Sequence, residues 1–167
     1  MISFAIIILS FIQQQLSQNL VLDDLQCSDN ILTSIDVSQN TVLNTLNCDN
    51  NQLTSLDLTQ NTSLVYLACG FNQLTNLDVS QNIGLAELFI YNNQISSIDV
   101  TQNIGLGSFR GENNQLTSLN LTQNIYIGLI FCNNNQLACL NIKNANNNNN
   151  NNNIVWINSL GNPNLTC

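Results

Sequence analysis

The chain repeats itself every 21 residues, and the step does not vary over six turns. Leu22, Leu43, Leu64, Leu85, Leu106 and Ile127 stand one step apart. So do Leu25, Leu46, Leu67, Leu88, Phe109 and Ile130, and so do Leu32, Leu53, Leu74, Ile95, Leu116 and Leu137. A unit this short cannot bury an apolar face by itself. Neighbouring units must stack so that their leucines form one continuous core.

The consensus, LxxLxCxxNxLTxLDVxQN, carries the signature of a leucine-rich repeat, whose units run about 20–29 residues. Within LxxLxC, inward residues alternate with outward ones, as in a strand. Leu67 and Cys69 are expected to point in, and Tyr66 and Ala68 out. Each unit then adds a short strand to a parallel concave sheet, with neighbours about 4.8 Å apart. Asn30, Asn51, Asn72, Asn93, Asn114 and Asn135 follow each strand at the same step. Their amides suit a ladder that satisfies backbone groups at the turn. The second half of each unit, LTSLDVSQN, is too short for a helix with its loops. It predicts extended or 3₁₀ segments on the convex face and few or no α-helices. A second column, Asn40, Asn61, Asn82, Asn103 and Asn124, marks the turn into the next unit. The column Asp36, Asp57, Asp78 and Asp99 lacks the glycine-rich pattern of calcium-binding β-rolls and is assigned to the turns.

The pattern divides the chain. Residues 1–19 are a hydrophobic leader or a partial N-terminal repeat or cap, and residues 20–145 hold the six repeats. Residues 146–153 are a poly-Asn loop without apolar side chains to pack, and residues 154–167 form a C-terminal cap over the last repeat's edge. Met1 to Ile12 reads either as the core of a secretory signal peptide, without a basic n-region, or as a buried cap strand. It is too short to span a bilayer, so no integral membrane span is expected. Leu16-Ser17-Gln18-Asn19 matches Val37-Ser38-Gln39-Asn40, so the chain enters in mid-unit. Trp156 is read as a cap residue rather than a ligand contact.

The unit resembles the 21-residue class of bacterial leucine-rich repeats, especially those of secreted or surface proteins of Bacteroidetes, in which LDVSxNTxLxxLxCxxNxLTS recurs. The resemblance runs from about Leu16 to Cys167, and Asn162-Pro163-Asn164-Leu165-Thr166-Cys167 matches the ending of such proteins. Because those chains continue past that cysteine, the resemblance also implies a fragment. It is broadly similar to internalin-type proteins. That implies extracellular or cell-surface binding or adhesion of a protein or glycan partner, and it brings no catalytic residues.

The formal net charge is −8, from ten acidic residues and two basic ones, Arg110 and Lys143. Nucleic acid and anionic membrane surfaces need clustered cations and are excluded as partners. The chain has no histidine, no phosphate loop and no nucleophile or zinc motif. No enzyme activity, cofactor or metal is expected.

Cys27, Cys48, Cys69 and Cys132 share a column with Ile90 and Gly111, which marks them as buried free thiols. Cys139 and Cys167 lie off that column in the capping region, and with export they are expected to pair as a disulfide. The outward positions change along the sheet. An acidic end, with Asp23, Asp24 and Asp29, grades into an aromatic centre. Tyr66, Phe71, Glu87, Phe89, Tyr91, Arg110, Glu112 and Phe131 are the candidate ligand-binding residues. Exposed aromatics on one face are a binding signal. The competing reading is that the rings only pack on one another and stiffen a thin sheet. The corresponding alternative for the whole chain is a spacer within a larger surface protein.

Overall fold

A computed structural model describes residues 13–14, 16–142 and 156–163. Within these the chain is a parallel β-solenoid with about one strand per 21 residues. The first five strands are β1 (Asp24–Gln26), β2 (Thr45–Asn47), β3 (Tyr66–Ala68), β4 (Glu87–Phe89) and β5 (Ser108–Arg110). On the opposite, convex side lie β6 (Ser118–Asn120) and β8 (Cys139–Asn141), while β7 (Leu129–Phe131) and β9 (Trp156–Asn158) complete the concave side. The concave sheet has seven parallel strands in the order β1-β2-β3-β4-β5-β7-β9, and β6 pairs with β8 in a separate ribbon. Register follows the sequence columns: Leu25 pairs with Leu46, Leu46 with Leu67, and Leu67 with Leu88. Helical residues 13–14 and 16–18 precede the first unit, and no 3₁₀ segment occurs among the described residues.

The core is a single stack. Leu43, Leu64, Leu85 and Leu106 are fully buried, as are Leu46, Leu67, Leu88 and Phe109. Cys27, Cys48, Cys69 and Cys132 are buried free thiols, and burial pushes Cys27 and Cys132 up to about 11. They pack as small hydrophobes and are unreactive near neutral pH. The fifth unit compensates a large residue with a small one. Phe109 replaces leucine, and a Cβ on Gly111, in the cysteine column, would sit 2.6 Å from the Phe109 ring.

Each turn after a strand uses one left-handed residue. Asp29, Asn50, Phe71, Asn92, Asn113 and Asn134 all have φ between 48° and 57°. The asparagine that follows ties two units together. Asn72 Oδ1 accepts from Leu53 N at 2.9 Å, and its Nδ2 donates to Cys48 O at 3.0 Å and Cys69 O at 3.2 Å. Asn51, Asn93, Asn114 and Asn135 repeat these bonds. Among the described residues the side chain of Asn30, at the start, bonds carbonyls of its own turn, Cys27 O and Ser28 O. Every rung satisfies backbone groups that the sheet leaves over, each worth about 1 kcal/mol net and more if orphaned.

The second asparagine column is more deeply built in than a turn marker. Asn61 Nδ2 donates to Val37 O and Asn40 O, both at 2.9 Å, and Asn82, Asn103 and Asn124 repeat the pattern. All are fully buried. The convex acids close local turns: Asp57 Oδ1 accepts from Thr59 N at 3.0 Å and from Thr59 Oγ1 at 2.7 Å. Asp36, Asp78 and Asp99 do likewise with Ser38, Ser80 and Thr101 backbone N–H groups. Convex strands pair where this position is neutral, at Asn120 and Asn141. Stacked like charges oppose pairing in the earlier units.

The C-terminal stretch extends the sheet. From Leu129 to Trp156 the step lengthens to 27, and Ile130 pairs with Ile157. Asn162 then serves as a seventh rung: its Oδ1 accepts from Leu137 N at 3.0 Å and its Nδ2 donates to Cys132 O at 2.9 Å. Gly161 supplies the left-handed turn at φ 73°. The expected cap over the last repeat's edge is thus a further strand. The leader at 1–12, the poly-Asn loop at 146–153, Lys143 and Cys167 lie outside the described residues.

Candidate functional site: the aromatic centre of the concave sheet

The parallel register sets the aromatic side chains beside one another. Tyr66 on β3 neighbours Glu87 on β4, Ala68 neighbours Phe89, and Phe89 neighbours Arg110 on β5, which neighbours Phe131 on β7. Two edge-to-face ring pairs result. Tyr66 and Phe89 have centroids 5.5 Å apart, and Phe71 and Tyr91 have centroids 5.4 Å apart. Ala68, flanked by Asn47 and Phe89 in register, is buried rather than presented, which corrects its expected exposure.

Arg110 joins these rings. Its guanidinium carbon lies 4.7 Å from the Tyr91 centroid, 5.5 Å from Phe131 and 6.0 Å from Phe89. Such cation–ring contacts are electrostatic and gain strength as water is removed. Glu112 fixes the guanidinium from below: Arg110 Nε donates to Glu112 Oε1 at 2.9 Å, and Nη2 donates to the same oxygen. Glu112 is only 7% exposed. It cannot serve as an open ligand contact, as its sequence position implied, and instead positions Arg110. Its second oxygen, Oε2, is buried without a donor among the described residues.

Asp49 anchors the other ring pair. Tyr91 Oη donates to Asp49 Oδ2 at 2.5 Å, and Gly70 N donates to Oδ1 at 2.5 Å. Burial raises the Asp49 carboxyl, against these two hydrogen bonds and nearby Arg110, which lower it. Burial and then the bond to Asp49 raise the Tyr91 phenol, and burial raises that of Tyr66. Gly70 is required for the close approach: a Cβ there would lie 2.6 Å from the Tyr91 ring. Asp49 and Gly70 were absent from the sequence-based candidates. The signal was a glycine in a column otherwise holding Ser28, Asp49, Tyr91, Glu112 and Asn133.

Phe71 occupies the left-handed turn position with φ 48°, where the other five units hold asparagine or aspartate. Its ring is 53% exposed. A bulky side chain in this conformation costs roughly 1–2 kcal/mol, which short polar side chains offset by local hydrogen bonds. Glu87 is exposed on β4. Tyr66, Phe89, Tyr91 and Phe131 are half-buried, each with part of its surface open. The arrangement therefore unites Tyr66, Phe71, Glu87, Phe89, Tyr91, Arg110 and Phe131 on one surface, with Glu112 beneath. Among the described residues no group of three or more potential metal ligands converges. None of their helices is long and apolar enough to cross a membrane. Cys139 is not among the free thiols. The other half of its expected pair, Cys167, lies outside the described residues.

The fold is that of a leucine-rich-repeat solenoid, and solved structures similar to it include bacterial proteins of that class. A leucine-rich-repeat protein of Leptospira interrogans shares 28% identity at a TM-score of 0.67, over 72% of this chain and 33% of that one. An internalin of Listeria monocytogenes shares 22% at 0.67, over 77% and 42%. YopM, a leucine-rich effector protein of Yersinia pestis, shares 27% at 0.63, over 72% and 34%. The chain thus spans between a third and less than half the length of these proteins. No protein-family model matches the sequence, and no curated protein matches it.

Proposed function

We propose that the chain is a recognition module of a secreted or cell-surface bacterial protein, which binds a protein or glycan through the aromatic centre of its concave sheet. The observation that carries this reading is Phe71. An exposed ring held in a left-handed backbone, at a position that asparagine fills without strain in other units, costs stability. Strain of this kind clusters at ligand-contacting positions. Around it lie Tyr66, Phe89, Tyr91, Arg110 and Phe131, the residue types that dominate binding hot spots. Glu87 at their margin supplies an open carboxylate. The module does no catalysis, takes no cofactor and holds no nucleic acid. A disulfide between Cys139 and Cys167 pins the last rung, in keeping with export.

A second reading rests on the edge-to-face pairs: the rings brace the sheet and the chain is a spacer. The experiment that separates the two is a screen of the full chain against arrayed glycans and extracellular proteins. A Tyr66→Ala, Phe89→Ala, Tyr91→Ala triple variant and a Phe71→Asn variant run beside it, with circular dichroism to confirm folding. Recognition predicts ligands kept by the wild type and lost by both variants. Ligands retained by a folded triple variant, or none for the wild type, favour the spacer.

A further inference from the structure

We infer that the partner is a protein segment rich in lysine and arginine, one cation of which seats on Tyr66 and Phe89 against the carboxylate of Glu87. The inference rests on the recognition reading above and narrows it to one chemistry.

The molecule already contains one such cation site, filled from within. Arg110 lies against Phe89, Tyr91 and Phe131 and is held by Glu112. Rings plus a carboxylate are what hold a partly exposed guanidinium in place. One step across the sheet a second set of rings and carboxylate follows, sharing Phe89 with Arg110, while its Tyr66 ring faces no cation among the described residues. Tyr66 and Phe89 form an edge-to-face pair, and Glu87 stands in register beside Tyr66. Glu87 is exposed, and among the described residues its carboxylate takes no hydrogen bond or ion pair.

The surrounding charge points the same way. Asp23, Asp24, Asp29, Asp49, Glu87 and Glu112 all lie on the strand side or its flanking turns, against one cation, Arg110. That cation is neutralised by Glu112, whose Oε2 remains buried without a donor. The face is therefore net negative where it is most aromatic. A neutral glycan would leave that field unanswered, and an acidic polymer would be repelled. A basic segment meets both the rings and the charge, and electrostatic complementarity of this kind steers association.

The test is a fluorescence-anisotropy titration of the full chain with three labelled peptides of equal length. One alternates Lys and Arg with Gly and Ser, one replaces the cations with Glu, and one is uncharged. Wild type is compared with Glu87→Gln, Phe89→Leu and a convex-face control, Asp57→Asn with Asp78→Asn, each checked for folding by circular dichroism. Only the basic peptide is expected to bind, more weakly as salt rises. Glu87→Gln and Phe89→Leu should each weaken it at least about fivefold. The convex control removes more charge and should change it less than about twofold. Equal weakening by the convex control would reduce the effect to net charge and overturn the inference. An acidic or uncharged peptide, or an arrayed glycan, whose binding is lost in Phe89→Leu would overturn the cationic assignment while leaving recognition intact. No binding of any peptide, glycan or extracellular protein would overturn both.

Discussion

Asp57 and Asp49 are eight residues apart and use the same side chain in opposite ways. Asp57, on the convex side, is fully solvated and accepts two bonds from Thr59, which hold its carboxyl below the ordinary range. Asp36, Asp78 and Asp99 do the same in their units. Asp49, on the strand side, is drawn under the Tyr91 hydroxyl, and burial raises it. The convex side repeats one solution that stabilises a turn. The concave centre departs from the repeat at Asp49, Gly70, Phe71, Tyr91, Arg110 and Glu112, and several of these departures oppose stability. Regularity in this solenoid marks scaffold, and departure from it marks the surface proposed for a partner.

That contrast can be broken most forcefully at the scaffold. Asn72→Ala removes the acceptor for Leu53 N–H and the donor to three carbonyls, those of Cys48, Cys69 and Gly70. It should cost about 3 kcal/mol in urea unfolding. A cost no larger than that of truncating an exposed ring would mean that the ladder is not where stability resides. The core of the fifth unit gives a smaller test. Gly111→Cys restores the column residue but drives a Cβ into the Phe109 ring, and should destabilise by about 1–3 kcal/mol. Adding Phe109→Leu should recover most of that loss. If the double variant is no better than the single, the two positions are not exchanging volume.

The pH dependence sharpens the comparison with the smallest effect. Asp57 and Asp78 titrate lower in the folded chain than unfolded. Their stabilisation is present above the unfolded carboxylate pKa and is lost as pH falls through the folded one. Asp49 titrates higher when folded, so its charge opposes folding increasingly as pH rises from the unfolded carboxylate pKa through its own. Asp57→Asn should therefore make the unfolding midpoint less sensitive to acid, and Asp49→Asn should make it more so. Changes in slope of the same sign, relative to wild type, for both variants would remove the distinction between the two faces.

The 21-residue step made most of this fold legible beforehand, because parallel stacking converts an equal step into a shared column. The leucine core, the thiol column and the positions of both asparagine columns follow from it. Legibility stopped where the step or the column chemistry changed. Asn162 is a seventh rung, but six extra residues before it displace it from the count. Glu112 shares a column with Asp49 and Tyr91, and its burial depends on Arg110 folding back two residues away, which no spacing encodes. Gly70 is required because the Tyr91 ring lies against it, a contact no spacing encodes. Alternation placed Tyr66 and Phe89 outward, but Phe71 faces out through its turn conformation, and the ring pairing needed the register of β3 to β5.

The proposal that the concave centre gives up stability for recognition meets its sharpest test at Phe71. The measurement is the urea unfolding free energy of Phe71→Asn against wild type. Asparagine relieves the left-handed strain at φ 48° and matches the residue used at Asn50, Asn92, Asn113 and Asn134. A gain of about 1 kcal/mol is expected. A loss of similar size would show that the ring earns its place by packing on Tyr91, and would return the concave face to a structural role.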